Sequence, residues 1–399
     1  MKRLHRVLII GLEVALQEAL FEDKYADKVI EKTLKANKKW GSKDRAFVAE
    51  SFYDIIRWKR KLAHYMGEEI TRDNIYKLIA TYLIYSNYEV PSFEEFKAFE
   101  KKKVLARMSE PIANPAVEHS VPDWLFDKIK ADYGDDTQAI LAALNEQADV
   151  FLRVNRLKTS ARKLIQSLLE DGVHAEMVDG LPDALRIKVR KNLFRTKAFQ
   201  DGWFEVQDLS SQKVAEALAP EAGMRVLDVC AGAGGKTLHL ASLMENKGQI
   251  IALDIHEWKL KELKRRARRA GAHNIETRPI AAKTIKRLRD GADALLIDAP
   301  CTGLGVLRRN PDAKWKLDPS FVERITKEQR NILADYSKVL RIGGRMVYAT
   351  CSILSEENEK QVAQFLEENA GFSLVSEEIL LPHQSGNDGF YIAVLERKA

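Results

Sequence analysis

Cysteine is scarce in this chain of 399 residues: there are three, Cys230, Cys301 and Cys351. So odd and sparse a set excludes the disulfide framework that holds small secreted domains together. No CxxC pair occurs, which excludes the common structural zinc pattern, and no metal is expected. Long apolar runs are missing too; no segment approaches the uninterrupted length of a membrane helix, so no membrane partner is expected. Lys2 and Arg3 precede the apolar run Val7-Leu8-Ile9-Ile10, but Gly11 and Glu13 break it and no small-residue cleavage site follows. A secretory signal is therefore not expected, and the reading is a cytoplasmic protein. Charge of one sign is in small excess, with 64 Lys and Arg against 58 Asp and Glu, a net charge of +6. That balance permits a nucleic-acid partner without requiring one. Apolar residues at 45% and charged residues at 31% exclude a disordered chain.

At roughly 150 residues per domain, the length predicts two or three domains. From Leu4 to about Tyr88 apolar residues recur at helical spacing: Leu12, Ala15, Leu16, Ala19 and Leu20; then Phe47, Phe52, Ile55 and Ile56; then Ile75, Leu78, Ile79 and Leu83. The pattern predicts a helical bundle. Two prolines in Ser109–Pro115 predict a connection, with helices resuming over Pro122–Asn145. A small mixed unit follows, with strands at 151–155, 173–178 and 184–189 and a helix at 161–169. From about Arg225 strand and helix patterns alternate. Val226–Val229, Ile250–Asp254, Ala294–Asp298, Arg345–Ala349 and Phe390–Leu395 read as strands of a largely parallel sheet covered by helices on both faces.

The strongest local pattern is Val226-Leu227-Asp228-Val229-Cys230-Ala231-Gly232-Ala233-Gly234-Gly235-Lys236-Thr237. Small residues after a strand let backbone approach a ligand, and the helix that follows offers unpaired N–H groups. Two ligands are compatible with it. Gly235-Lys236-Thr237 satisfies the second half of a nucleotide-binding P-loop, but Cys230 stands where the first glycine belongs. A nucleoside-binding turn instead needs an acidic residue at the end of the next strand to bond ribose hydroxyls, and Asp254 supplies it. Turn and carboxylate together favour an adenosine-bearing cofactor. Asp298-Ala299-Pro300-Cys301-Thr302-Gly303-Leu304-Gly305 and Ala349-Thr350-Cys351-Ser352 also follow strands. All three cysteines are thus predicted at the carboxyl edge of one sheet, where open α/β sheets bind ligands. Cys230 reads as a small residue of the cofactor turn.

These segments, with Gln207-Asp208, Leu307-Arg308-Arg309-Asn310-Pro311-Asp312 and Asp388-Gly389-Phe390, resemble the Nop/Sun family of RNA cytosine-C5 methyltransferases over residues 150–399. The N-terminal helices resemble the NusB-like RNA-binding domain of the family's bacterial 16S rRNA methyltransferase. The resemblance implies an α/β fold class: a Rossmann-like S-adenosylmethionine-dependent methyltransferase domain at 207–399, preceded by a helical NusB-like domain at 1–145 and a small α+β RNA-binding unit at 146–206. It implies S-adenosylmethionine as cofactor and RNA, 16S rRNA, as substrate. By resemblance Cys351 is the nucleophile and Cys301 assists product release. Cys230, Ala231, Gly232, Ala233, Gly234, Gly235, Lys236, Asp254 and Asp298 hold the cofactor, with Lys236 and Asp298 also near the target base. The chemistry accounts for two thiols. C5 of cytosine is a poor nucleophile until a thiolate adds to C6, and the C5 proton must later be removed as the thiolate leaves.

Arg153, Asn155, Arg308 and Arg309 are the candidate RNA contacts, because they lie in or beside these segments. Lys259, Lys261, Lys264, Arg265, Arg266, Arg268 and Arg269 crowd one helix, a run that usually marks a solvated face. Two positions depart from the family pattern: Gly232-Ala233 replaces the usual Ala-Pro, and Ala281 stands where an acidic residue follows the third strand. The rival readings are methylation of tRNA, a ribosome-assembly factor without catalysis, and a P-loop NTPase.

Overall fold

The computed structural model describes residues 4–281 and 283–399; Lys2 and Arg3 lie outside them. Contacts divide the chain into two compact units, one running to Glu146 and including Leu307–Asp318, the other made of Gln147–Val306 and Pro319–Ala399.

The first unit is helical, and its spacing explains its core. Leu12, Ala15 and Leu16 of Arg6–Phe21, Phe52, Ile55 and Ile56 of Ser42–Arg57, and Ile75, Leu78, Ile79 and Leu83 of Ile75–Tyr85 bury against one another. Each helix contributes a stripe at i, i+3 and i+4. The proline-rich connection ends in a cap: the Asn114 side chain accepts from Ala116 N at 2.8 Å, and Pro115 occupies the first turn of Pro115–Glu118. Leu307–Asp318 joins this unit through specific bonds. Trp315 Nε1 donates to Ile56 O at 2.7 Å, and the buried Lys314 donates to Asn145 Oδ1 at 3.1 Å. The expected catalytic domain, 207–399, included this segment; its contacts lie with the helices.

The second unit contains two sheets. In the smaller, β1 (Phe151–Val154), β2 (Ala175–Val178), β3 (Leu181–Ile187) and β4 (Phe204–Val206) form an antiparallel sheet ordered β2-β3-β1-β4. Helix Ala161–Glu170 lays Leu164 and Leu168 on Leu152, Val154, Leu185 and Ile187.

The larger sheet comprises β5 (Arg225–Asp228), β6 (Gln249–Asp254), β7 (Ile275–Pro279), β8 (Ala292–Asp298), β9 (Leu340–Thr350), β10 (Phe372–Leu380) and β11 (Phe390–Arg397) in the order β10-β11-β9-β8-β5-β6-β7. Side chains alternate between its faces. Val226, Ile250, Leu296 and Val347 pack with Val214, Leu240 and Leu263 of the helices on one side, whereas Leu227, Ile251, Leu295 and Met346 pack with Leu333, Val362 and Phe365 on the other. Both faces are therefore apolar, as a covered parallel sheet requires. The pairings among β7, β6, β5, β8 and β9 are parallel, while β11 runs antiparallel to both β9 and β10. From β5 the chain winds outward through β6 and β7, then returns to place β8 on the other flank of β5. That reversal opens a crevice at the carboxyl ends of β5 and β8. No helix among the described residues is long and apolar enough to cross a membrane.

Candidate active site

Leaving β5, the chain turns sharply and enters helix Gly235–Leu243. Gly234 sits at φ +86°, and a Cβ there would come within 2.5 Å of the Leu263 side chain, so the turn packs closely against the next helix. The opposite side is open: a Cβ on Gly232 or Gly235 would meet nothing within 4 Å. Asp254, at the end of β6, braces the turn. Its carboxylate accepts from Gly232 N at 2.9 Å and His256 N at 2.7 Å. Ala231 N donates to Leu253 O, also at 2.9 Å. A space bounded by a glycine turn, a helix N-terminus and a strand-end carboxylate fits an adenosine-bearing group, so the residues expected to hold the cofactor are brought together.

Lys236 does not curl over the turn as a P-loop lysine would. Its Nζ reaches Asp298 Oδ2 at 2.8 Å and lies 5.2 Å from the centre of the Phe390 ring. Asp228 is buried beneath, where Thr237 Oγ1 donates to it at 2.7 Å; burial pushes its carboxyl up to about 7. Cys230 is half-buried in the turn, and burial and nearby carboxylates push its thiol well up.

Cys301 and Cys351 meet across the ends of β8 and β9, with their sulfurs 3.3 Å apart and partly accessible. Parallel pairing of Asp298 with Ala349 sets the two strand ends side by side. The backbone locks them: Ala299 N donates to Ala349 O at 2.9 Å, and Gly305 N donates to Cys351 O at 2.9 Å. The thiol of Cys301 is held well above its ordinary range by the hydrogen bond to Cys351, then by burial, then by the Cys351 charge, with Glu357 adding to it.

Glu357 escaped the sequence reading. It is fully buried, and four donors converge on its carboxylate. Thr302 N donates at 2.8 Å, Thr302 Oγ1 at 2.5 Å and Gln329 Nε2 at 3.0 Å, and the Ser352 hydroxyl completes the set. Next to it, buried Asn358 accepts from Thr350 Oγ1 at 2.5 Å and donates to Ser352 O at 3.1 Å. In sequence Glu357 is one acid in Ser355-Glu356-Glu357-Asn358-Glu359, which reads as a solvated run; only the tertiary fold distinguishes it.

Three of the four expected RNA contacts are turned inward. Arg153, 3% exposed, donates to Gly235 O at 2.7 Å and to Gln207, and burial pushes it down to about 10. Asn155 donates to Gly202 O at 2.8 Å and Ala270 O at 2.7 Å. Arg308 is buried against Ala143 O at 2.6 Å and pairs with Glu146. Their donors hold backbone carbonyls, so here they position segments of the chain; Arg309 is partly exposed. The basic helix Glu257–Ala270 is divided. Lys261, Lys264, Arg265 and Arg268 are exposed, whereas Arg266 and Arg269 pair with the buried Glu205. Ala281 is exposed, and its N–H is capped by Thr284 Oγ1 at 2.9 Å.

Comparison with known proteins agrees with this geometry. Residues 215–396 match the family described as 16S rRNA methyltransferase RsmB/F, and residues 121–193 match the ferredoxin-like domain of RsmF/B-like methyltransferases. A probable ribosomal RNA small subunit methyltransferase B of Synechocystis is 34% identical over 300 residues, covering 70% of this chain and 67% of that protein. The ribosomal RNA small subunit methyltransferase B of Yersinia enterocolitica is 35% identical over 311 residues, covering 76% and 72%. Among solved structures, PH0851 superposes with a TM-score of 0.84 at 27% identity over 99% of this chain and all of that one. NSun6 from Pyrococcus horikoshii, solved with the S-adenosylmethionine analogue SFG, superposes with a TM-score of 0.65 at 25% identity over 70% of this chain and 98% of that one.

Proposed function

We propose, because this chain belongs to the RsmB/F family of 16S rRNA methyltransferases, that it methylates C5 of a cytosine in 16S rRNA. The observation that carries the reading is the pair of sulfurs 3.3 Å apart at the carboxyl edge of the sheet. C5 methylation needs a nucleophile to activate the ring and a general base to restore it, and two neighbouring sulfurs can divide those tasks.

S-adenosylmethionine is the cofactor in this reading. The turn from Cys230 to Lys236, with Asp254 and Asp298, would hold it, and when bound it supplies the electrophilic methyl group. Cys351 adds to C6 of the cytosine, and electron density moves to C5. The Lys236–Asp298 pair stands at the same strand ends, where it can hydrogen-bond the edge of the base and hold it against Cys351. While Cys351 is free, the hydrogen bond between the two sulfurs, the largest cause, and burial hold the Cys301 thiol well above its ordinary range. Once Cys351 is bonded to C6 the paired thiol is gone, and Cys301 can release its proton to solvent. The resulting thiolate takes the C5 proton, the ring double bond re-forms, the C6–S bond breaks and Cys351 returns to its starting form. The N-terminal helices would serve as the RNA-binding domain, with the exposed basic face of Glu257–Ala270 turned to phosphates.

The test is to incubate the protein with methyl-labelled S-adenosylmethionine and either 16S rRNA or tRNA, then digest to nucleosides. The label should appear in 5-methylcytidine from the rRNA. Label in another nucleoside would sink the chemistry, and label in tRNA alone would overturn the choice of substrate.

A further inference from the structure

The two cysteine-bearing segments come from different strand ends, 50 residues apart in sequence, and side-chain hydroxyls border both sulfurs. Thr302 follows Cys301, and Ser352 follows Cys351. Both hydroxyls, and the Thr302 N–H, end on the carboxylate of Glu357. Gln329 bridges the same carboxylate at 3.0 Å to Pro300 O at 2.9 Å, on the other side of Cys301. The segment Pro300–Thr302 is thus gripped both before and after the sulfur, and Ser352 is tied to the same anchor.

We infer that Glu357 is a positioning residue, whose carboxylate joins the Cys301 and Cys351 segments into one block and so sets the separation of the two sulfurs. Its consequence for catalysis rests on the proposed function; the positioning itself does not. The donor set explains why the residue is an acid. Every partner approaches with a hydrogen, and only a carboxylate presents acceptors on both oxygens. A glutamine would turn an N–H either toward Thr302 N and Gln329 Nε2, which can only donate, or toward the two hydroxyls, which would have to reverse; either way bonds of the anchor are lost or rearranged. Aspartate, one methylene shorter, would not span the same gap. Asn358 complements the anchor by holding Thr350 and Ser352 on either side of Cys351.

The test reads sulfur separation without RNA or cofactor. Full-length protein is treated with the thiol oxidant diamide, which takes two electrons and two protons from a pair of thiols. The Cys301–Cys351 disulfide is then followed by peptide mass spectrometry. Closing the bond brings the sulfurs to about 2.05 Å, so its rate depends on how closely they are held. The wild-type protein should crosslink readily. Glu357→Gln should crosslink about tenfold more slowly or worse, since displacements near 1 Å carry effects of that order or larger. Thr302→Val, which leaves Glu357 in place, should also slow it, and Thr302→Ser, which keeps the hydroxyl, should restore it. The Thr302 variants decide the matter if Glu357→Gln does not fold. Equal rates in all four proteins, or no crosslink in the wild type, would overturn the inference. A second reading separates this from the reaction itself. Glu357→Gln should lower kcat about tenfold with KM for RNA unchanged and should accumulate covalent protein–RNA complex. If crosslinking slows as expected but the wild type methylates no cytosine, the proposed function fails and the positioning stands.

Discussion

Gly305→Ala is the smallest change that should separate the two halves of the site. A Cβ at this position would lie 2.1 Å from Gly389 O, 2.7 Å from Gly389 C and 2.9 Å from Cys351 O. All three are backbone atoms, so no side chain can swing aside. The backbone conformation of Gly305 is not the obstacle; the close approach is. Overpacking of this kind costs about 1–3 kcal/mol. Relief by moving the loop would break the bond from Gly305 N to Cys351 O at 2.9 Å and that from Gly389 N to Gly305 O at 2.8 Å, each worth about 1 kcal/mol. The variant should therefore lose roughly 2–4 kcal/mol, a fall in Tm of about 5–15 °C at 2–4 °C per kcal/mol. Because Gly305 N is bonded to the carbonyl of Cys351 itself, methyl transfer should fall more steeply than stability at a temperature where the protein is still folded. Calorimetry paired with single-turnover methylation measures both. A Tm within about 1 °C of wild type, with full activity, would refute the argument that backbone contact at Gly305 sets the site.

Asp254→Ala should weaken S-adenosylmethionine binding about 10–100-fold by calorimetry and lower Tm by a few degrees, since the carboxylate also braces Gly232 and His256; unchanged affinity means the ribose assignment is wrong. Burial raises Asp228 to about 7 from an ordinary 3.8, so between those values the folded protein keeps a proton that the unfolded chain has released. That group's contribution to stability is full below the unfolded value and is lost as pH rises towards 7. Asp228→Asn should remove this loss, so the urea midpoint of the variant should gain on wild type from pH 5 to 8; a constant difference would contradict the buried carboxyl. Arg153→Met should lower stability and cofactor affinity, because it releases Gly235 O and Gln207, yet leave the salt dependence of RNA binding unchanged. A shallower salt slope would return Arg153 to the RNA interface.

Much of the catalytic unit was legible because parallel sheets write their function at one edge. A strand, a glycine turn and a helix placed Cys230–Lys236, and the next strand end placed Asp254. The ends of β8 and β9 placed Cys301 and Cys351, and the sheet order brought them together. Strands without an apolar run were invisible. β10 is mostly exposed and carries Ser376, Glu377 and Glu378 at the surface as an edge strand does, β4 has three residues, and β7 is polar along most of its length. Polar side chains misled for a related reason. Local sequence shows that Arg153, Asn155 and Arg308 accompany family segments but not which way they point, and backbone carbonyls needing donors claimed all three. Glu357 shows the converse, since nothing in an acidic run marks the one member that folds inward. Leu307–Asp318 follows the Cys301 segment in sequence, but Trp315 and Lys314 find their partners among the helices, and no periodicity could have announced it.

The central claim is that Cys351 attacks and Cys301 completes the reaction. Its most direct measurement is denaturing electrophoresis of the cysteine variants after incubation with S-adenosylmethionine and labelled RNA. Cys301→Ala should accumulate a covalent protein–RNA band, because addition and methylation proceed but the C5 proton is not removed. Cys351→Ala should give neither band nor methylation, and the double variant should give no band. A band with Cys351→Ala that is absent from Cys301→Ala would reverse the two roles, and full methylation by both variants would end the thiolate mechanism for this protein.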